Sequence, residues 1–243
     1  MKTLLKLGAG VGLCAGAYAL LVRPRMLRWG ATREEVQRRS PGDDLLPDGK
    51  RGSTMAVTLD AAPSAVWPWL VQMGFGRAGW YSWDRLDHFG RPSASQIHPE
   101  WQSLSVGDRL PATPDGRYWF DVAAVDPGRF LALRVLTSGG RQHDSADPRP
   151  RSAKDFVDSL WAFQLDELPG GRTRLVVTVH SAGRPRLRDT ALGFVFWEPA
   201  HFIMQTRQFT NLARRAGGAL REARRERSAG PPDEVPLAPH PQT

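Results

Sequence analysis

The chain has 243 residues, of which 41% are hydrophobic, and it carries a formal net charge of +8 at pH 7. This size and apolar content suffice for one sizeable core and exclude an intrinsically disordered protein. The single cysteine, Cys14, excludes an internal disulfide and a cysteine-based zinc site. Many arginines cluster in residues 23–39 and 214–227, largely outside the expected folded body, which favours a solvated surface or a membrane flank over nucleic-acid binding.

The N-terminus contains an apolar run rich in Gly and Ala, from residue 7 to residue 22, with lysines before it and Arg23 and Arg25 after it. Together with the two leucines ahead of it, the run approaches the roughly 17 to 20 residues that span a bilayer. One interpretation is an uncleaved single-pass membrane anchor over residues 1–25. The other is a secretory signal, supported by the Ala-Tyr-Ala triplet at 17–19, whose cleavage would release a secreted protein.

Two features favour the anchor over the cleaved signal. The apolar run continues past the triplet to Val22, and Trp29 stands where an aromatic residue of the membrane interface is expected. The heavier positive charge on the C-terminal side then places the main domain in the cytoplasm. The sequence therefore predicts a membrane partner through the N-terminal segment, with residues 26–50 as a charged linker.

After the linker, Ser53–Leu59 predicts a strand, residues 60–73 a short helix and Ser82–Phe89 a second one. Strands are then predicted over residues 103–110, 118–125, 130–136, 160–168 and 174–181. The turn sequences Asp-Pro-Gly at 126–128 and Pro-Gly-Gly at 169–171 join the last four strands into two hairpins. The polar segment between the hairpins, residues 137–158, is predicted to be a long loop, either a lid or ordinary surface.

The last predicted element is a long helix, because apolar residues recur at helical spacing from Pro199 to about Arg227. Residues 228–243 form a Pro-rich tail that cannot build a core. A long helix with one apolar face must bury that face, and a curved antiparallel sheet offers a matching surface. The order of elements therefore predicts an α+β fold in which a sheet grips the C-terminal helix, with a cavity between them.

Aromatic residues are concentrated in Val66–Asp84, which holds four of the nine tryptophans together with Tyr81 and Arg77. Large aromatics beside glycine-rich backbone and one cation are typical of a cavity wall, because ligand pockets combine an apolar lining with few polar groups.

Several stretches resemble the SRPBCC superfamily, the START and Bet v 1-like helix-grip proteins that include polyketide cyclase/dehydrase-like members. The stretches are Val66–Asp84, Pro99–Asp108, Val125–Arg134, Ser159–Glu167 and Glu198–Met204. The resemblance implies a helix-grip domain over residues 51–227, a curved antiparallel sheet wrapped around the long C-terminal helix. It also implies a deep cavity between sheet and helix for a hydrophobic or amphipathic small molecule such as a lipid, a quinone or a polyketide-like compound.

The predicted ligand contacts are the aromatic, apolar and cationic residues expected at that cavity. They are Trp69, Met73, Arg77, Trp80, Tyr81, Trp83, Trp161, Phe163, His201, Phe202 and Phe209. Among them, Arg77 has the chemistry to hold a carboxylate or to polarise a carbonyl. The alternative is that Arg77 forms a structural ion pair with Asp84 or Asp87 while the tryptophans fill the core.

Three functions remain open from the sequence, and ligand binding without catalysis is the principal expectation. A second is a cyclase- or dehydrase-like enzyme with Tyr81, Asp84 or His201 as acid–base groups. The third is a structural, membrane-associated accessory protein with no ligand.

No cofactor or metal site is predicted. Gly74–Gly79 matches the Gly-x-Gly-x-x-Gly fingerprint, but a helix-like stretch precedes it, whereas a dinucleotide site needs a strand before the glycines and a helix after them. The pairs Asp84/His88 and Glu198/His201 lack the further ligands that a metal site requires.

Overall fold

The structure is a computed structural model that describes residues 16–185 and 193–228, with residues 219–228 as backbone only. Most of the predicted anchor and the predicted tail, 228–243, therefore lie outside the described residues. No helix within 16–185 and 193–228 has the length and apolar character needed to cross a membrane.

The chain begins with small helical pieces that precede the sheet. A π-helical turn, Tyr18–Val22, leads into α1 (Arg23–Leu27), and α2 (Arg33–Gln37) and α3 (Pro41–Leu45) follow. The latter two start with capping boxes, in which Thr32 pairs with Glu35 and Ser40 pairs with Asp43.

These pieces lie mostly within the predicted charged linker, residues 26–50, and are bound to the sheet. Glu35 forms an ion pair with Arg174 at 2.7 Å, and Asp43 pairs with Arg51 and with His180. Their charges, which suggested a solvated linker, are in contact with the sheet instead.

A seven-stranded antiparallel sheet forms the body of the fold. Its strands are β1 (Lys50–Leu59), β2 (Arg109–Pro111), β3 (Trp119–Asp126), β4 (Phe130–Ser138), β5 (Arg141–His143), β6 (Phe156–Leu168) and β7 (Arg172–Arg184). The order across the sheet is β1-β7-β6-β4-β3-β2, with β5 paired to β4. Both predicted hairpins are present, β3–β4 and β6–β7. At the first turn Gly128 adopts φ +78°, a value that few other residues tolerate.

Two short helices follow β1, as the sequence predicts. They are α4 (Pro63–Val71) and α5 (Asp84–Asp87), and a 3₁₀ turn over Pro99–Trp101 lies between α5 and β2. A second π-helical turn, Gly193–Trp197, precedes the 31-residue helix α6 (Glu198–Ser228).

The core lies between α6, α4 and the sheet. Phe209, Leu212 and Ala216 on α6 are buried, and their spacing is that of a single helix face, as predicted. The matching sheet residues are Leu131, Leu133, Phe163, Leu165, Leu175 and Val177. The helix-grip fold, a curved antiparallel sheet with a long C-terminal helix, is therefore confirmed.

The segment 137–158 differs from the predicted long loop. It contains the end of β4, all of β5, a 3₁₀ turn over Arg149–Ser152 and the start of β6. Asp158 is fully buried and accepts hydrogen bonds from Arg134 at 2.7 and 2.8 Å and from Arg151 at 2.6 Å. The charges that suggested a solvated loop instead hold this segment against the sheet.

Candidate functional site

A cleft of about 1200 Å³ lies between the middle of α6, residues 207–218, and the segment Ser82–Ile97. Its apolar lining comes from Trp69, Trp83, Leu86 and Ile97. Its polar lining includes Asp84, Arg207, Asn211, Arg214 and Arg215. None of the lining residues belongs to a strand, so this cleft is not the cavity between sheet and helix that the sequence predicts.

Buried polar side chains of α6 hold the wall of the cleft in place. The Gln208 amide donates to the carbonyl of Trp80 at 2.9 Å, and the Asn211 amide donates to the carbonyl of Tyr81 at 2.7 Å. Tyr81 has φ +58°, a conformation that is costly for a residue with a side chain. The backbone N–H of Tyr81 also donates to the Ser93 hydroxyl at 3.2 Å. These bonds explain why the unusual turn persists.

Three arginines of α6 reach the cleft, and each is held differently. Arg207 lies over the Trp83 ring, 4.8 Å from its centroid, and its buried Nε has no hydrogen-bond acceptor among the described residues. Arg215 lies 4.9 Å from the Tyr81 ring centroid and donates to the carbonyl of Ala94 at 2.7 Å. Burial lowers the pKa of Arg215. Arg214 donates to the side-chain oxygen of Asn211.

Asp84 lines the cleft with the arginines, and Asp87 follows it one helical turn later, outside the lining. Asp84 accepts a hydrogen bond from the Ser93 hydroxyl at 2.5 Å and lines the cleft. Burial raises the pKa of Asp87 to about 6, and repulsion from Asp84 contributes to the rise. A carboxyl group that titrates near neutral pH is suited to proton transfer.

Six of the predicted ligand contacts are in the packed core. Met73, Tyr81 and Phe163 have no exposed surface, Phe209 has 1%, Trp69 has 3% and Trp80 has 5%. A ligand-sized void would expose the side chains that line it, so these residues contact protein in this structure. Their predicted contact with a ligand stays a prediction that this packing does not support. Of the predicted residues, Trp69 and Trp83 line the cleft.

Trp161, His201 and Phe202 lie farther toward the start of α6 and are not among the residues that line the cleft. The Trp161 ring is 6.0 Å from that of Trp80 and 6.4 Å from that of His201. Burial lowers the pKa of His201 to about 4, and its Nε2 is buried without a hydrogen-bond partner among the described residues.

Arg77 supports the backbone and forms neither of the ion pairs considered for it. Its guanidinium donates to the carbonyls of Val71 at 2.9 Å and Trp101 at 3.1 Å. It is therefore not placed to bind a ligand in the cleft.

The three predicted acid–base residues do not meet in one place. Tyr81 contacts α6 at Asn211, about 15 Å along the helix axis from His201 at a rise of 1.5 Å per residue. The Tyr81 hydroxyl is buried and accepts a hydrogen bond from Gln72 at 2.7 Å, and burial raises its pKa. Only Asp84 of the three lines the cleft.

Local structure also explains the residue pairs that the sequence analysis considers as metal ligands. His88 is buried, and its Nδ1 lies 2.8 Å from the carbonyl of Arg91. Within 16–185 and 193–228 no group of three or more His, Cys, Asp or Glu side chains is arranged to hold a metal ion.

Sequence reasoning missed most of the polar residues of the cleft. Arg207, Asn211, Arg214, Arg215 and Gly218 follow one another at intervals of four, three, one and three residues, which places them along one side of α6. That spacing was visible in the sequence, but the arginines near the end of the helix were assigned to solvated surface.

No protein-family model matches the chain, and no curated protein is significantly similar to it. Among solved structures, the chain is similar to the Zhui aromatase/cyclase from Streptomyces sp. R1128. The two share 17% identity over 75% of this chain and 98% of that chain, with a TM-score of 0.38. A hypothetical protein from Helicobacter pylori shares 13% identity over 66% of this chain and 84% of its own, with a TM-score of 0.40.

A conserved protein from Geobacillus kaustophilus shares 12% identity over 68% of this chain and 95% of its own, with a TM-score of 0.36. At these identities the similarities concern the fold alone, and the fold rests on the strand order and on the long C-terminal helix described above. The chain therefore has the helix-grip fold.

Proposed function

We propose that the protein binds an amphipathic small molecule with an acidic headgroup in the cleft between α6 and Ser82–Ile97. The observation that carries the proposal is Arg207, whose guanidinium lies on the Trp83 ring while its buried Nε lacks an acceptor among the described residues. Because the Nε itself is buried, a ligand carboxylate would accept from the outer guanidinium nitrogens of Arg207 in a charge-assisted hydrogen bond.

The electrostatic balance of the cleft supports an anionic headgroup. Four arginines line the cleft, Arg85 and three on α6, whereas Asp84 is the one acidic residue of its lining. Of the three on α6, Arg215 donates to backbone carbonyls and Arg214 to Asn211, which leaves Arg207 as the α6 arginine with unused donor capacity. We therefore place the headgroup at Arg207.

The remaining lining supports an apolar tail. Trp83, Leu86 and Ile97 contribute apolar surface to the cleft. Its volume of about 1200 Å³ exceeds the roughly 300 to 1,000 Å³ that are usual for small-molecule sites. A fatty acid, an acidic quinone or an acidic polyketide-like compound would therefore be accommodated.

Binding of a fluorescent fatty acid and of its methyl ester to the full chain in detergent tests this proposal. We expect the acid to bind more tightly than the ester, and Arg207→Gln to weaken the acid about tenfold while leaving the ester unchanged. Arg33→Gln, which changes an exposed arginine far from the cleft lining, is the matched control. Equal binding of acid and ester to the unmodified chain, or no binding of either, would overturn the proposal.

A further inference from the structure

Two segments that are distant in sequence lie side by side at the start of α6. The Tyr18 hydroxyl donates to the carbonyl of Phe194 at 3.3 Å, and the two rings meet edge to face with centroids 5.0 Å apart. Five residues later, Arg23 forms a bidentate ion pair with Glu198, with N–O distances of 2.6 and 2.7 Å. These two contacts hold the turn 18–22 against the turn 193–197.

Between the two contacts, both segments present large apolar side chains to the outside. The exposed fractions lie between 53% and 77% for Leu20, Leu21, Val22, Val195, Phe196 and Trp197. We call these six residues the apolar patch. Scattered exposed apolar residues are ordinary, but six of them on two segments that these contacts hold together are typical of an interaction surface.

We propose that the apolar patch inserts into the headgroup region of a bilayer that contains anionic lipids. Trp, Phe and Leu on one surface, with arginines beside them, are the residues of helices that lie in the membrane interface. Arg25 and Arg28 follow the first segment directly and are exposed, where they would meet anionic headgroups.

The sequence that leads into the patch favours a bilayer over a protein partner. Residues 7–17, most of which lie outside the described residues, contain no charged side chain, so the chain enters the patch through an apolar sequence. Such a sequence is suited to hydrocarbon, whereas the rim of a protein interface is polar. This contact needs no helix that spans the membrane, and it differs from the predicted anchor because half of the patch belongs to the C-terminal part of the chain.

A site-specific fluorophore separates the patch from the N-terminal apolar run. Cys14 is the single cysteine, so Cys14→Ser combined with Val195→Cys gives one labelling position within the patch. An environment-sensitive label there should brighten and shift to the blue when phosphatidylcholine vesicles containing phosphatidylglycerol are added. The same label on Cys14→Ser combined with Val106→Cys, which places it at an exposed apolar position outside the patch, should not respond.

The lipid composition and a second variant sharpen the test. Arg25→Gln/Arg28→Gln should weaken binding to the anionic vesicles about fivefold per arginine, and raised salt should have the same effect. Brominated lipid should quench the label at position 195 but not at position 106.

Two results would overturn the proposal. In one, the label at position 195 does not respond although the chain binds vesicles, so that the N-terminal run alone makes the contact. In the other, the label is shielded without vesicles and light scattering gives the mass of a dimer, so that the patch pairs with a second copy. The fatty-acid assay without vesicles is independent of both results, so failure here leaves the proposed ligand site standing and the reverse also holds.

Discussion

Arg23 and Glu198 join the N-terminal segment to the first turn of α6 through two hydrogen bonds of 2.6 and 2.7 Å. The pair is partly shielded from solvent, with side-chain exposures of 34% and 20%. The hydrogen bond to Glu198 raises the pKa of Arg23, as expected for a cation held by a carboxylate. The contact fixes where the N-terminal segment meets the first turn of α6.

Breaking this ion pair should loosen the N-terminal segment more than it destabilises the fold. We expect Arg23→Gln to lower the free energy of unfolding by about 1 kcal/mol, since the pair is partly solvated. It should also speed proteolytic cleavage near residues 18–28, measured by limited proteolysis. Arg28→Gln, which changes an exposed arginine nearby, is the control, and equal cleavage rates for both variants would contradict the prediction.

Asp87 should make the protein less stable as pH rises through about 4 to 6. In that window the unfolded chain has released the Asp87 proton, whereas burial and Asp84 keep the folded-state pKa at about 6. Asp87→Asn should therefore raise the melting temperature at about pH 7.5 and change it little at about pH 4. Asp48→Asn, at an exposed position, should show no such dependence on pH. An increase in melting temperature that is the same at both pH values would count against a raised pKa of Asp87.

His201 should act in the opposite direction. Burial lowers its pKa to about 4, so between about pH 6.5 and 4 the unfolded chain binds a proton that the folded chain does not. The free energy of unfolding should fall across that window as pH falls, and His201→Gln should flatten the fall in denaturant titrations. His143→Gln, at a half-buried position with a carbonyl 3.3 Å from its Nε2, is the comparison. An unchanged pH profile in His201→Gln would disprove the assignment.

Asp158 should be one of the most sensitive polar positions in the protein. It is fully buried between Arg134 and Arg151, and its removal leaves two guanidinium groups without their carboxylate. We expect Asp158→Asn to lower the free energy of unfolding by about 3 to 5 kcal/mol, measured by urea denaturation. Asp155→Asn, three residues earlier and exposed, should change it by less than about 0.5 kcal/mol. A small effect at Asp158 would mean that the two arginines find other partners.

The fold could be predicted from the sequence because its local signals agreed with one another. The turns at 126–128 and 169–171 gave both hairpins, and the spacing of Phe209, Leu212 and Ala216 gave the buried face of α6. The contacts of the segments 26–50 and 137–158 could not be predicted from the sequence. Their charged residues suggest solvated surface, because the partners of Glu35 and Asp158 include residues that only the folded sheet brings near.

The site was harder to predict, because aromatic residues serve cores and pockets alike. Trp83 lines the cleft and is 44% exposed, whereas Trp80 and Tyr81, just before it in sequence, are buried. The difference depends on the left-handed turn at Tyr81 and on which side of α6 covers it. Neither is visible in the order of residues, so the arginines of α6 could not be assigned to a binding site.

Trp29 and Gly30 fix the N-terminal segment against the sheet and α6. Trp29 was expected at a membrane interface, but its ring stacks on Phe209 at 6.0 Å and its carbonyl accepts a hydrogen bond from the N–H of Ala56 at 3.0 Å. At Gly30 a Cβ atom would lie 2.1 Å from the carbonyl oxygen of Ala56, so no larger residue fits there. Residues 29 and 30 are thus fixed against β1 and α6. A surface that binds residues 18–22 would therefore also fix the orientation of the sheet and of α6 relative to that surface, and with it the direction in which the cleft opens.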